Sequence, residues 1–422
     1  MRRIAFYEDV TAKQLAPIAT LRPVFELLCG HFSSRERLTH FFGSPNWGAI
    51  VRPELRDTYA EACPEARIND DQWIAEDSLL LINGRCLIDG KDLASLQPGT
   101  AAWIGETLAA VALPSGATIG VAEVLAGDHL PRLARTLKPI AIEGTVIEYP
   151  WDLISENPKR LKRDFETRYE GMGAGSLDPR VAIVGPDDQV FIHPTAKLDP
   201  FVVIDVSSGP VWIDADVQVQ AFTRIEGPAF IGQKTQLFRA NIREGCSFGP
   251  NCRLGGEIEE SIVHGFANKY HDGFLGHSYV CSWVNLGALS TNSDLKNDYS
   301  DVSVPLVGTG IRTGSTKVGC FIGDHTKTAI GSLFNTGTSI GVMSLILPGG
   351  RLLPKHIPPF SRIWNGVLEE LPDGTASAFQ TARLAMARRS SEFTPAMERL
   401  LTNVFNETSE ERARAIARAS RS

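Results

Sequence analysis

The chain has 422 residues, 43% of them apolar and 22% charged, which is enough for two or three domains with ordinary cores. A net charge of −7 excludes the strongly basic footprint of a nucleic-acid binder or a polybasic membrane ligand. The opening MRRIAFYEDV lacks the apolar core of a secretory signal, no run approaches the ~20 apolar residues of a membrane span, and the seven cysteines include no C-x-x-C pair. These features predict a cytoplasmic protein with reduced, buried thiols, no membrane span and no nucleic-acid partner.

The first 150 or so residues read as mixed α/β. Ile4–Tyr7 is the first expected strand, and Ser78–Gly84 is a buried strand ended by a turn residue. Gly99–Leu113 is expected to be helical and Thr118–Leu125 to be a strand. Ser155–Gly175 reads as a helical connector that ends in the flexible break Gly171-Met172-Gly173-Ala174-Gly175.

The period then changes to six. Apolar residues recur at Ile192, Leu198 and Ile204, then at Ile213, Val219, Ile225, Ile231 and Leu237, then at Ile242, Phe248 and Leu254. Later phases run through Val280 and Leu286, and through Ile322, Thr328, Phe334, Ile340, Ile346 and Leu352. A helix repeats every 3.6 residues and a flat strand every 2. Period six means a short strand and a corner, three of which close one coil, and each coil buries its edges against the next. The expected fold is a left-handed parallel β-helix. Two interruptions, Gly255–Val280 and Asp294–Gly314, read as inserted loops and so as candidate functional regions.

After Leu371-Pro372-Asp373-Gly374 the pattern becomes helical. Ala376–Arg389 is rich in helix formers, Thr394-Pro395 is a helix start, and Thr408-x-x-Glu411 is a capping-box signature. Eight arginines lie between Gln380 and Ser422. The expected division is an α/β domain over 1–165, a linker over 166–189, the prism over 190–371 and a helical tail over 372–422.

Hexapeptide prisms mark a large acyltransferase superfamily. An α/β domain ahead of such a prism resembles the bifunctional enzymes that make UDP-N-acetylglucosamine. In those, the first domain is a Rossmann-like nucleotidyltransferase that couples UTP to a sugar 1-phosphate, and the prism acetylates glucosamine 1-phosphate from acetyl-CoA. Leu21–Gly30, Pro150–Ile154 and Glu257–Asn292 resemble most closely a divergent bacterial branch of sugar nucleotidyltransferases with a β-helix domain. That resemblance implies an acyltransferase acting on a sugar phosphate or nucleotide sugar, working as a homotrimer.

The resemblance also implies a site. The stretch Asn268-Lys269-Tyr270-His271-Asp272-Gly273-Phe274-Leu275-Gly276-His277 places His271 at the general-base position. An imidazole suits that work because it titrates near neutrality. Asn285 falls on the family asparagine, with Lys269, Tyr270 and Asn292 as further substrate-binding candidates and Gly287 and Ala288 beside the pantetheine arm of acetyl-CoA. Phe274 replaces a family tyrosine and His277 a family aspartate. His264, His271 and His277 also invite comparison with the zinc site of hexapeptide-prism carbonic anhydrases. Their close spacing departs from that family, and no metal site is assigned.

Nucleotidyl transfer needs a glycine-rich loop after the first strand and a Mg²⁺-binding aspartate. Here Glu8-Asp9-Val10-Thr11-Ala12-Lys13 stands in place of the loop, and Ile82-Asn83-Gly84-Arg85 in place of Gly-Asp. Arg22, Asn83 and Arg85 remain as candidate nucleotide ligands, and Mg²⁺ enters only if this domain is active. The sequence therefore leaves three alternatives: an acyltransferase with a degenerate first domain, a working bifunctional enzyme, or a non-catalytic scaffold.

Overall fold

The computed structural model describes residues 3–43, 46–116, 119–169 and 177–420. They form two compact units. The first comprises Met1–Leu15, Ala19–Leu27 and Phe32–Tyr149, and the second Ala16–Ile18, Leu28–His31 and Pro150–Ser422. The division thus falls at Tyr149 and not at 165, and two short stretches of the amino-terminal third belong with the prism.

The first unit is built on a seven-stranded mixed sheet. Its strands are β1 (Arg3–Tyr7), β2 (Trp47–Ile50), β3 (Arg67–Ile68), β4 (Leu79–Asn83), β5 (Thr100–Ile104), β6 (Thr107–Leu113) and β7 (Lys138–Ala141). They are ordered β7-β5-β6-β4-β1-β2-β3. All neighbours are parallel except β6, which runs against both β4 and β5. Central β1 and β4 are nearly fully buried, as expected of strands covered on both faces.

Two expectations fail here. Gly99–Leu113 is the β5–β6 hairpin, turned at Gly105 with φ 56°. Its alanines favour a helix locally, but packing against β4 and β7 overrides that weak propensity. Val121–Leu125 is not a strand but a short helix, α1, whose first amides are held by Glu123 and Asp71. Thr118, and the glycine-rich break at 171–175, lie outside the described residues.

The second unit opens with α2 (Pro150–Arg168), which starts five residues before the expected connector. Its buried side chains Leu161 and Phe165 pack on Phe191, Trp212 and Phe230, which point outward from one prism face. The polar anchor is Asn157. Its Oδ1 accepts from Gly30 N at 2.7 Å and Ser247 Oγ at 2.9 Å, and its Nδ2 donates to Gly245 O at 2.8 Å. Gly30 sits at φ 79°, where a Cβ would lie 2.3 Å from Asp164, so only glycine fits.

The prism has three faces. On the first, nine parallel strands run from Val190–Ile192 to His356–Ile357. Their register stacks Ile192, Ile213, Ile231, Phe248, Val263, Val280, Ile322, Ile340 and Ile357 in one interior column. Leu198, Val219, Leu237 and Leu254 stack on the second face, and Ile204, Ile225, Ile242, Ile258 and Leu275 on the third.

The first expected interruption does not exist. Ile262–Val263, Asn268–Lys269 and Phe274–Gly276 continue the three faces without a break. The frame runs on as Val263, Lys269 and Leu275, and a lysine at an interior position hid it. The second interruption is an insertion, with an antiparallel hairpin of Ser303–Leu306 and Thr309–Arg312.

Three helices follow the prism: α3 (Ala376–Ala387), α4 (Pro395–Glu407) and α5 (Ser409–Ala419). Thr394 caps α4 as expected, its side chain accepting from Met397 N. The capping box at Thr408 does not form. That hydroxyl donates to Val404 O and accepts from Arg412 Nη1, so it serves the end of α4. Phe379 and Phe405 pack on Phe360 at the last coil. Among the described residues, no helix is long and apolar enough to cross a membrane.

Asn157→Ala should cost about 2–5 kcal/mol, because it strands the buried Gly30 N–H and Gly245 carbonyl. Urea unfolding followed by circular dichroism measures this, and a change under about 0.5 kcal/mol would mean that the anchor is dispensable.

Candidate functional site

His271 lies on the turn between the second-face strand Asn268–Lys269 and the third-face strand Phe274–Gly276. Its imidazole is exposed, makes no hydrogen bond to the described residues and rests 4.8 Å from the Tyr270 ring, which is itself 3.9 Å from Phe238. Lys269 holds this turn from inside. It takes the interior position in register with Leu254, is 3% exposed, and donates to the carbonyls of Gly255 (2.7 Å), His271 (3.2 Å) and Gly273 (2.7 Å). Burial pulls its pKa down to about 8. All three donors of the ammonium are therefore spent on backbone oxygens.

Asn285 stands one coil above Asn268 and one below Lys327 on the second face. Asn268 Nδ2 donates to Asn285 Oδ1 at 3.3 Å. Arg389, just past α3, donates to Asn268 Oδ1 at 3.0 Å and to Asn251 O at 3.3 Å. Lys327 donates to the Trp283 carbonyl, and burial lowers its pKa to about 8. Sequence reasoning passed over Asn268, Arg389 and Lys327. Asn268 stands one coil of 17 residues before Asn285, Lys327 is separated from Asn285 by the insertion, and Arg389 arrives from a separate element.

The other expected ligands are occupied in the fold. Asn292 is buried, accepting from Gly276 N and donating to Gly276 O and Ser293 O. A Cβ on Gly287 would lie 2.4 Å from the backbone of Ala329, so its small size serves the approach of the next coil. Ala288 accepts from Gly331 N and is half-buried.

The three histidines go separate ways. His264 Nδ1 is 3.2 Å from Ser282 Oγ. His277 is buried between Asp294, 2.8 Å from Nδ1, and Glu260, 3.4 Å from Nε2. Burial lowers its pKa, but the bonds to Asp294 and Glu260 outweigh that and raise it to about 9. Among the described residues the three share no ligand sphere.

In the first unit, Asn83 ends β4 and Arg85 follows it at the carboxyl edge of the sheet, where ligands bind in open α/β folds. Both face Asp9. Arg85 pairs with it at 2.6 and 2.7 Å, and Asn83 donates to it at 3.0 Å. Glu8, 1% exposed, accepts from Arg52 Nε at 3.2 Å and from the amides of Val24 and Arg52. Burial raises the Glu8 pKa against the pull of Arg52. The carbonyl of Arg22 accepts from Arg52. Arg52 and Arg85 thus neutralise the carboxylates that stand where a phosphate loop would. Asp70 caps the short helix Asp71–Ala75 and Asp71 holds the Val121 amide, so this pair serves backbone ends.

Lys269→Met keeps the apolar stem and removes the donors. It should cost about 2–4 kcal/mol through the lost donors to the Gly255 and His271 carbonyls, since Gly273 O keeps the Glu257 amide, and this is read as a lower melting temperature. An unchanged melting temperature with a raised KM would make Lys269 a substrate ligand instead.

Residues 4–172 match the sugar nucleotidyl transferase family. A bifunctional sugar-1-phosphate nucleotidylyltransferase/acetyltransferase of Sulfurisphaera tokodaii is 33% identical over 93 residues, 22% of this chain and 23% of that protein. The chain therefore spans less than a quarter of that relative. An uncharacterized acetyltransferase of Escherichia coli, YaiX, is 30% identical over 184 residues, 42% of this chain and 73% of that protein. Among solved structures, the UDP-N-acetylglucosamine acyltransferase of Francisella novicida covers 52% of this chain and 90% of its own, at 13% identity and a TM-score of 0.26. With 30% identity across 73% of the YaiX acetyltransferase, the chain belongs to that acetyltransferase family, and it carries a nucleotidyltransferase-like unit at its amino-terminal end.

Proposed function

We propose that the prism transfers an acyl group from an acyl-CoA, acetyl-CoA being the expected donor, to the amine of a sugar phosphate or nucleotide sugar. His271 is the general base. The observation that carries this reading is the setting of His271: an exposed imidazole with no hydrogen bond to the described residues, on a turn whose backbone is pinned from inside by Lys269. A general base needs an accessible ring nitrogen on a backbone that is held in place, and the turn at His271 offers both. As the amine attacks the thioester carbonyl, His271 takes the amine proton. The carbon–sulfur bond breaks, and the CoA sulfur leaves and is protonated to the thiol. Lys269 is a positioning residue in this scheme.

Lys327 and Arg389, which flank the Asn268–Asn285 pair, supply positive charge suited to a phosphate. Kinship with an acetyltransferase family supports the same chemistry. Exposed apolar side chains along the prism, Phe222, Leu289 and Ile330, favour self-association, and we place the working form as a homotrimer. Light scattering should then give three times the 46.0 kDa chain mass. A monomeric mass would overturn the trimer.

In this reading the first unit transfers no nucleotide and Mg²⁺ has no role, because paired carboxylates occupy the phosphate position. Acetyl-CoA consumption should appear with glucosamine 1-phosphate or one member of a panel of amino-sugar nucleotides. His271→Ala should lower it by at least ~100-fold. Activity untouched by the substitution would remove His271 from the mechanism, and no turnover on any amine would reject the reading. Incorporation of labelled UTP into a nucleotide sugar would restore the bifunctional alternative.

A further inference from the structure

Glu260, His277 and Asp294 occupy one corner of three successive coils. Glu260 follows the strand Arg253–Glu259 directly, His277 follows Phe274–Gly276, and Asp294 lies two residues past Thr291–Asn292. Glu260 and His277 both take a left-handed backbone, φ 38° and 48°, as other corner residues do. The side chains meet. The His277 side chain is 8% exposed, with Nδ1 2.8 Å from Asp294 Oδ2 and Nε2 3.4 Å from Glu260 Oε2. The carboxylate of Glu259 completes a set in which one ligand atom each from Glu259, Glu260 and His277 lies within 4.8 Å of the others.

We propose that Glu259, Glu260 and His277 form a binding site for a divalent transition-metal ion, with Asp294 orienting the imidazole. Ligands about 2.1 Å from a tetrahedral metal stand about 3.4 Å apart, which is the separation of His277 Nε2 and Glu260 Oε2. Asp294 on Nδ1 holds the ring with Nε2 towards Glu260, where a metal ion would take the place of the Nε2 proton. This is the carboxylate–histidine arrangement that surrounds metal-bound imidazoles. The charge also matches. Three carboxylates, Glu259, Glu260 and Asp294, gather around the His277 ring and one ammonium, Lys317, whose Nζ is 3.5 Å from Glu259. Lys317 is half exposed and can turn to solvent when a cation takes its place. One nitrogen and two oxygens form a borderline donor set, suited to Zn²⁺, Mn²⁺ or Fe²⁺ over a soft ion. Three protein ligands leave a coordination position for water or a substrate oxygen. The site is independent of the acyl-transfer reading, since none of its residues belongs to that scheme.

The test uses the full chain, stripped of metal with a chelator and titrated with ZnCl₂ by calorimetry, with bound zinc counted after gel filtration. One zinc per chain is expected, and Glu260→Gln should weaken it by at least ~10-fold. Glu260→Gln preserves size and one acceptor oxygen, its melting temperature verifies the fold, and it decides the matter if His277→Asn proves unstable. Co²⁺ gives a second readout: the visible absorption of four-coordinate cobalt in the wild type, absent from Glu260→Gln. No stoichiometric zinc in the wild type would overturn the proposal, as would binding or cobalt absorption unchanged by Glu260→Gln.

Discussion

The parallel backbone ladder from Ile192 to Ile357 is the constraint on which the second unit depends. Each coil has open edges that only the next coil can satisfy, and each interior column closes only if every coil contributes one side chain of suitable size. That rule leaves the outer surface free to vary while the interior cannot. It also explains the outward aromatic residues Phe191, Trp212 and Phe230. One face is covered by α2 and not by water, so its outward positions become a second, smaller core.

The period-six rule was legible because it is set by interior packing, and it failed where the interior holds a polar group. Lys269 occupies a leucine position, so the frame seemed to lapse at Gly255. A buried ammonium is tolerated only when its donors are paired. Its pairing with Gly255, His271 and Gly273 makes the coil more specific at this point than a leucine would. What looked like an inserted functional loop is an ordinary coil made unusual by one side chain. The site expectation changes accordingly: Lys269 supports the turn from within while His271 remains at its surface.

The first unit was legible in its central strands and illegible at its edges. β1 and β4 announce themselves by uninterrupted apolar runs. The β5–β6 hairpin does not, because alanine suits a helix in isolation and a close-packed sheet in company. The absence of a glycine-rich loop was plain from Glu8 and Asp9. The placing of Arg52 and Arg85 against them was not, since Arg85 lies far along the chain and meets Asp9 only through the order of the strands. A buried carboxylate needs a cation, and each cation so used is withdrawn from ligand binding. After β1, therefore, two carboxylates and two arginines cancel each other's charge.

Coil stacking also determines how chemistry is assembled outside the prism. Residues one coil apart in sequence become neighbours on one line, so a site is written as a column and not as a local motif. Asn268, Asn285 and Lys327 form one such column on the second face. Glu260, His277 and Asp294 form another at the corner after the third face. Neither resembles a contiguous signature, and both become readable once the register is known. The two columns differ in sign. The first has lysine beside asparagines and is approached by Arg389. The second has glutamates and an aspartate around an imidazole. At the corner column, Glu260 and His277 share a left-handed backbone, and successive coils bring their side chains to 3.4 Å.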